Sequence, residues 1–259
     1  MYFNSNSGNF PELQYTFHLM FFMKVFRYGN INNDHGHYFL VVWFVILGII
    51  PFKSSHMNTL KQDNYILLEP ITSIWDQVFT VAPLVIIGTK EKQGYDLAPK
   101  HMAMPLGFGN YFGFVCTPRH NTFDNILATG QFTVSFPLPD QIISASLSAS
   151  PRTEYISKSE GIINALPILR APSIDAPIIA DAYFYLECEL YKIIDGFDDY
   201  SIITGRIKAA YAHRDYLKVS EIDEQEQLAK NPLLAYIAPG RFAKIAATNG
   251  FPFPKNFQR

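Results

Sequence analysis

A cation, an imidazole, an amide and a hydroxyl follow one another in the stretch RHNT at residues 119–122. A turn signal at Pro118 precedes them, and a short helical pattern with Thr122 as N-cap follows and stops at Gly130. Since the first turn of a helix carries unpaired N–H groups, this junction suits an anion. We therefore expect a phosphate-bearing ligand here. An ordinary helix cap with a solvated Arg119 is the alternative.

Two further segments are candidates for contacting the rest of such a ligand. Residues 97–102, LAPKHM, show little alternation of apolar and polar side chains. Because Pro99 has no backbone N–H to donate, this strand cannot pair fully along both edges. The strand either exposes its backbone to a ligand or contains a bulge. His101 either contacts the ligand or is an ordinary strand residue whose ring nitrogens are hydrogen-bonded within the protein. The serine-rich segment 141–152 offers hydroxyls and close backbone approach, with a solvated loop as the alternative.

The elements around these segments predict antiparallel β-structure. A β-branched run at 84–89 and a polar turn at 90–94 precede a returning strand at 95–104, which is typical of a hairpin. Other strands are expected at 112–116, 131–136, 178–194 and 200–211. Helices are expected at 123–129, 154–161 and 221–231. A loop is expected at 164–177, and a tail without a core pattern at 233–257. This order favours a barrel or sandwich.

Alternation in the strand at 178–194 places Phe184, Leu186 and Cys188 on one face and Glu187 and Glu189 on the other. The two carboxylates could be read as a catalytic pair. We favour solvent or dimer contacts, because strand residues two apart on an outer face usually serve those roles. No catalytic side chain is predicted.

The composition excludes several classes of protein. Hydrophobic residues make up 48% and charged residues 17% of the 259 residues, which supports a packed core and argues against bulk disorder. The formal net charge of -2 argues against a nucleic-acid binder. The two cysteines, Cys116 and Cys188, lie in apolar strands and read as buried, reduced thiols, and their spacing predicts no metal site.

Residues 1–56 differ from the rest of the chain, with 14 of its 39 aromatic residues and only five charged groups. Their longest apolar run, residues 38–52, has 15 residues and is short of the roughly 20 that cross a bilayer. We expect a non-globular or extraneous extension before a domain at 57–259, and a membrane anchor is the alternative. A cytoplasmic protein is expected.

Several motifs in order resemble the flavin reductase-like family of FMN-binding split barrels. They are Gly88-Thr89, DLAPKHMAM from Asp96, TPRHNTFDNILATGQFTVSF from Thr117, Glu160-Gly161, Ala171-Pro172, LECEL from Leu186 and Gly205-Arg206-Ile207. The resemblance covers about residues 75–216.

The resemblance implies a mainly β fold, a six-stranded antiparallel Greek-key split barrel with short peripheral helices. It also implies a homodimer with FMN near the interface, NADH or NADPH as co-substrate, and a partner oxygenase or other electron acceptor. The cofactor-binding residues that it implies are Leu97, Ala98, Pro99, Lys100, His101, Met102, Arg119, His120, Asn121, Thr122, Asn125, Ser148 and Ala149.

In that assignment Thr122 and Arg119 meet the phosphate, residues 97–102 meet the ring, and Lys100 or His101 stabilises the reduced flavin. The chain departs from the family at Pro99 and Lys100, where many members carry Thr or Ser, and at Arg206. The predicted activity is hydride transfer from a nicotinamide to FMN, in which the flavin carries the chemistry. An FMN-binding electron-transfer protein without NAD(P)H activity, or a flavin-free structural dimer, are the alternatives.

Overall fold

Residues 64–118, 120–151, 158–218 and 221–257 are described by the structure, which is a computed structural model. They all belong to one unit, Lys61–Arg259. The expected extension at 1–56 lies outside the described residues, and the domain boundary at Met57 stays a prediction.

A curled antiparallel sheet forms the centre of the fold and confirms the predicted mainly β, split-barrel class. In spatial order its seven strands within the described residues are β3 (Tyr95–Lys100), β2 (Val85–Lys90), β6 (Gln131–Phe136), β9 (Phe184–Phe197), β10 (Tyr200–Ala212), β5 (Tyr111–Cys116) and β4 (Ala103–Pro105). Because β3 and β4 are consecutive in the chain but lie at opposite edges, the sheet must curl until its edges approach.

The main sheet has one strand more than the six expected, because the predicted returning strand at 95–104 is divided in two. The chain bends at His101 and Met102, and β4 then pairs with β5 instead of β2. Val115 N–H donates to the Met102 carbonyl at 2.8 Å, which holds the bend against β5. The bend places the outer edge of β3 beside the residues that follow β5.

A second, three-stranded sheet consists of β1 (Thr80–Pro83), β11 (Leu233–Ala238) and β12 (Arg241–Ile245). The prediction of a tail at 233–257 is therefore wrong for its first half. Leu234 and Ala235 are buried, so β11 packs as an ordinary central strand. Gly240 closes the hairpin between β11 and β12 with a φ of 74°, a conformation that glycine adopts at little cost.

Aromatic side chains pack the interior of the curled sheet. The rings of Phe114 and Phe132 meet edge to face at 5.5 Å, and those of Phe112 and Phe136 at 5.9 Å. Cys116 and Cys188 are buried and unpaired, as predicted, and burial raises the pKa of the Cys188 thiol to about 12. These contacts make the barrel wall a rigid support for the segments on its edges.

The expected loop at 164–177 contains a short hairpin and covers part of β9. Its strands are β7 (Ile168–Arg170) and β8 (Pro177–Ile179). Ser173 donates to the Glu187 carboxylate from its hydroxyl, and from its N–H at 3.3 Å, and Glu187 is fully buried. The prediction of a solvent or dimer contact is thus wrong for Glu187. Glu189 does lie at the surface, 3.5 Å from Lys208 Nζ.

Short helices surround the sheets, as predicted. They are α1 (Asn121–Thr129), α2 (Ile142–Leu147), α3 (Lys158–Gly161) and α4 (Glu224–Lys230). Among the described residues, none of the helices has the length and apolar character that crossing a membrane requires.

Candidate functional site

A cavity of about 320 Å³ lies where β3, the N-terminus of α1 and the segment after α2 meet. Its lining residues are Asp96, Ala98, Pro99, Lys100, His120, Asn121, Thr122, Ser148, Ala149, Ser150, Pro151 and Lys158. It therefore brings together three stretches that the sequence singled out separately.

The N-terminus of α1 forms one end of the cavity. His120 is the N-cap, with an extended φ of -88° and ψ of 134°, so the prediction that Thr122 caps this helix is wrong by two residues. The N–H groups of Asn121 and Thr122 belong to the first turn, whose donors have no partner within the helix. Gly130 ends the helix in the left-handed conformation, as predicted. This end of the cavity is suited to an anion.

Thr122 is buried, and its hydroxyl donates to Asp96 Oδ2 at 3.3 Å. The hydroxyl hydrogen that was expected to meet a phosphate is therefore directed at a carboxylate in this structure. Asp96 is itself buried and lies 3.0 Å from Lys158 Nζ through its other oxygen. Neither Asp96 nor Lys158 was a predicted site residue.

Lys100 extends from the end of β3 toward α1. Its Nζ lies 3.3 Å from His120 Nδ1 and 3.7 Å from Cys116 Sγ. Burial, followed by the charge of Lys100, lowers the pKa of His101, whose ring packs against Tyr236 at 4.6 Å. Lys100 is thus a cation on the cavity wall next to the N-terminus of α1, and the His101 ring lies against Tyr236 of the small sheet.

The outer edge of β3 contributes backbone groups to the cavity. The Leu97 carbonyl accepts a hydrogen bond from Lys158 at 2.6 Å, so the backbone of Leu97 points away from β2. Residues two apart direct their backbone groups to the same edge, which places Pro99 there as well. The missing N–H of Pro99 costs no ladder hydrogen bond, and this part of the edge offers acceptors.

Eight of the thirteen predicted site residues line the cavity: Ala98, Pro99, Lys100, His120, Asn121, Thr122, Ser148 and Ala149. The Leu97 side chain is buried in the core, and His101 and Met102 form the bend after β3 and do not line the cavity. Asn125 instead ties α1 to β2, donating to Thr89 Oγ1 at 3.0 Å. Arg119 lies outside the described residues.

Asp96, Ser150, Pro151 and Lys158 complete the lining. Ser150 and Pro151 belong to the serine-rich segment 141–152, whereas Asp96 and Lys158 were missed. Asp96 and Lys158 are the charged pair among them, and they are far apart in the chain, so no local pattern joins them. Among the described residues, no cluster of side chains fits a metal ion.

The donor set of the cavity suits a ligand with a phosphate at one end and a flat body at the other. Helix N–H groups, Lys100 and His120 gather at one end, while Ala98 and Pro99 provide a flat, largely apolar wall along β3. The Ser148 hydroxyl donates a hydrogen bond to the Ala145 carbonyl at 2.7 Å. The backbone of this segment, and not that hydroxyl, is therefore available to a ligand in the cavity.

Comparison with known proteins identifies the family to which this chain belongs. Residues 79–237 match the family model of the flavin reductase like domain. A flavoredoxin from Methanosarcina acetivorans has a similar structure, with a TM-score of 0.58, 18% identity, and coverage of 74% of this chain and 96% of that chain. No curated protein matches the chain by sequence.

Two other solved structures share the fold. The FMN-binding protein from Thermus thermophilus with bound p-hydroxybenzaldehyde has a TM-score of 0.57 and 19% identity over 73% of this chain and 98% of that chain. BorF, the flavin reductase component of a bacterial two-component tryptophan halogenase, has a TM-score of 0.50 and 18% identity over 64% of this chain and 91% of that chain. By the family match over most of its length, this chain belongs to the flavin reductase-like domain family.

Proposed function

We propose that this protein is an FMN-binding oxidoreductase that takes hydride from NADH or NADPH. The observation that carries the proposal is the cavity in which the N-terminus of α1, Lys100 and His120 meet the open edge of β3. The family match supports a flavin as the ligand, and one structural neighbour is described as FMN-binding. FMN, when bound, supplies the hydride acceptor.

The phosphate of FMN would lie at the N-terminus of α1, against the N–H groups of Asn121 and Thr122. Charge-assisted hydrogen bonds of this kind contribute about 1.5–3 kcal/mol each. Lys100 adds positive potential at the same end of the cavity, where its Nζ lies 3.3 Å from His120 Nδ1. Ala98 and Pro99 would hold the ring system on its flat side.

FMN binding is tested first by the visible spectrum of the purified protein and by quenching of FMN fluorescence. Replacing both Lys100 and His120 with Ala should weaken FMN binding by about tenfold, because the cation and the imidazole at the anion end of the cavity are both lost. Lys218→Ala is the matched control, since this lysine is exposed and does not line the cavity. Colourless protein that leaves FMN fluorescence unchanged would refute the proposal.

Anaerobic mixing with NADH or NADPH tests the hydride transfer. Bleaching of the flavin band is expected with at least one nicotinamide. A flavin that binds but does not bleach would leave the electron-transfer protein as the function of this cavity.

We further propose that the protein acts as a homodimer and passes reduced flavin to a partner oxygenase or another electron acceptor. Large apolar side chains are exposed on and near β4, including Met102, Met104 and Phe108, which a second copy would cover. Light scattering on the purified protein checks the dimer, and a monomer at micromolar concentration would contradict it.

A further inference from the structure

A buried ion pair on the cavity wall has no role in the proposed flavin binding. Asp96 on β3 is 3% exposed and Lys158 on α3 is 8% exposed. Taking two charges out of water is costly unless both are closely paired and hydrogen-bonded. Both residues line the cavity, so the charges lie where a ligand would feel them.

The pair joins three elements around the anion end of the cavity. Lys158 Nζ lies 3.0 Å from Asp96 Oδ1 and donates to the Leu97 carbonyl at 2.6 Å. Asp96 Oδ2 accepts the Thr122 hydroxyl of α1 at 3.3 Å. The carboxylate is thus held from α3 on one side and from α1 on the other, directly behind the first turn of α1.

The electrostatic consequence is specific to this arrangement. A carboxylate behind the first turn of α1 opposes the attraction that the helix N-terminus has for an anion. Lys158 cancels that negative charge without itself facing solvent. Removing the ammonium alone would take one positive charge away from a buried carboxylate and make the potential beside the anion more negative.

We propose, on the basis of the flavin site proposed above, that the Asp96–Lys158 pair determines the preference of this cavity for a phosphorylated flavin over an unphosphorylated one. Lys158 is a positioning residue in this role, since it acts through Asp96 and need not touch the phosphate.

The test compares the affinities of FMN and riboflavin by fluorescence quenching in the full chain and its variants. Lys158→Met should weaken FMN binding by about tenfold or more and riboflavin binding far less, so the FMN-to-riboflavin affinity ratio falls. Asp96→Asn leaves the lysine charge unopposed and should raise the ratio. The double variant, Asp96→Asn with Lys158→Met, should restore the ratio to within about threefold of the unmodified protein.

The outcomes separate this proposal from the function on which it rests. If the unmodified protein binds neither flavin, both proposals fail. Two outcomes would overturn this proposal alone, in a protein that does bind FMN, and would show that the pair is merely structural. In the first, Lys158→Met weakens the binding of FMN and of riboflavin equally. In the second, Asp96→Asn leaves the FMN-to-riboflavin affinity ratio unchanged or lower. Should Lys158→Met fail to fold, two variants decide the result: Asp96→Asn, in which Lys158 still donates to the Leu97 carbonyl, and the double variant, in which both charges are removed together.

Discussion

Replacing Gly88 with alanine should destabilise the protein strongly, although the substitution adds one methyl group. Gly88 lies in the middle of β2, paired with Leu97 on one side and Thr133 on the other. A Cβ at this position would overlap the Pro177 carbonyl oxygen and the Thr133 hydroxyl oxygen, with the Pro177 carbonyl carbon at 3.1 Å. The Thr133 hydroxyl donates to that same carbonyl. Backbone atoms therefore block the methyl group.

The expected magnitude follows from the separate contributions. Overpacking against backbone costs about 1–3 kcal/mol. Loss of the buried hydrogen bond between Thr133 and Pro177 costs about 1–3 kcal/mol. Alanine lowers the conformational entropy of the unfolded chain, which stabilises the folded state by about 0.4–1 kcal/mol and offsets part of this loss. The net loss in free energy of unfolding is about 3 kcal/mol, or about 6–12 °C in Tm for a domain of this size.

Thermal and urea unfolding of Gly88→Ala, followed by circular dichroism, measure the loss. Gly250→Ala is the control, because no atom lies within 4 Å of its added Cβ and its φ is not positive. It should unfold within about 0.5 kcal/mol of the unmodified protein. A Gly88→Ala variant with a Tm within 2 °C of the control would refute the steric reasoning.

Two further predictions concern ionisable groups. The hydrogen bond from the Tyr95 hydroxyl, at 2.7 Å, is the main cause that lowers the pKa of Asp175. A lowered carboxyl pKa stabilises the fold above the unfolded value near 4 and the contribution disappears as pH falls, so Asp175→Asn should cost less than about 1 kcal/mol at pH 7, since solvent screens this half-exposed carboxylate, and less still at pH 3. An equal loss in urea unfolding at both pH values would contradict this. Cys116 and Cys188 are buried with raised pKa values, so both should react with Ellman's reagent only after unfolding, and rapid labelling of native protein would contradict their burial.

Elements with strong local signals could be predicted from the sequence. The alternation of QFTVSF at 131–136 predicts β6 with its bounds, because side-chain period two is a local property of a strand. The end of α1 at Gly130 was also predictable, since a glycine after a helical pattern usually adopts the left-handed conformation. All lining residues of the cavity except Asp96 and Lys158 lay in the stretches chosen for their chemistry.

Features that depend on contacts distant in the chain could not be predicted. The pairing of Asp96 with Lys158 joins residues whose local patterns carry no sign of each other. Glu187 occupies an outward-facing strand position by alternation, yet Ser173 covers it from a separate hairpin. The strand β11 was read as part of a tail, and one of its two partner strands, β1, lies near the other end of the domain.

The pairing of β1 with β11 has a consequence for synthesis of the protein. Thr80 pairs with Ala238, so the three-stranded sheet cannot form until the ribosome has released nearly the whole domain. Closing so long a loop is costly and slow compared with the local β2–β3 and β9–β10 hairpins. Until β11 has been synthesised, the backbone N–H and C=O groups along the edge of β1 therefore have no partner strand. The exposed apolar side chains of Phe79 and Val81 lie beside this edge. A ribosome stalled before β11 emerges should carry a nascent chain that binds chaperones through this N-terminal edge.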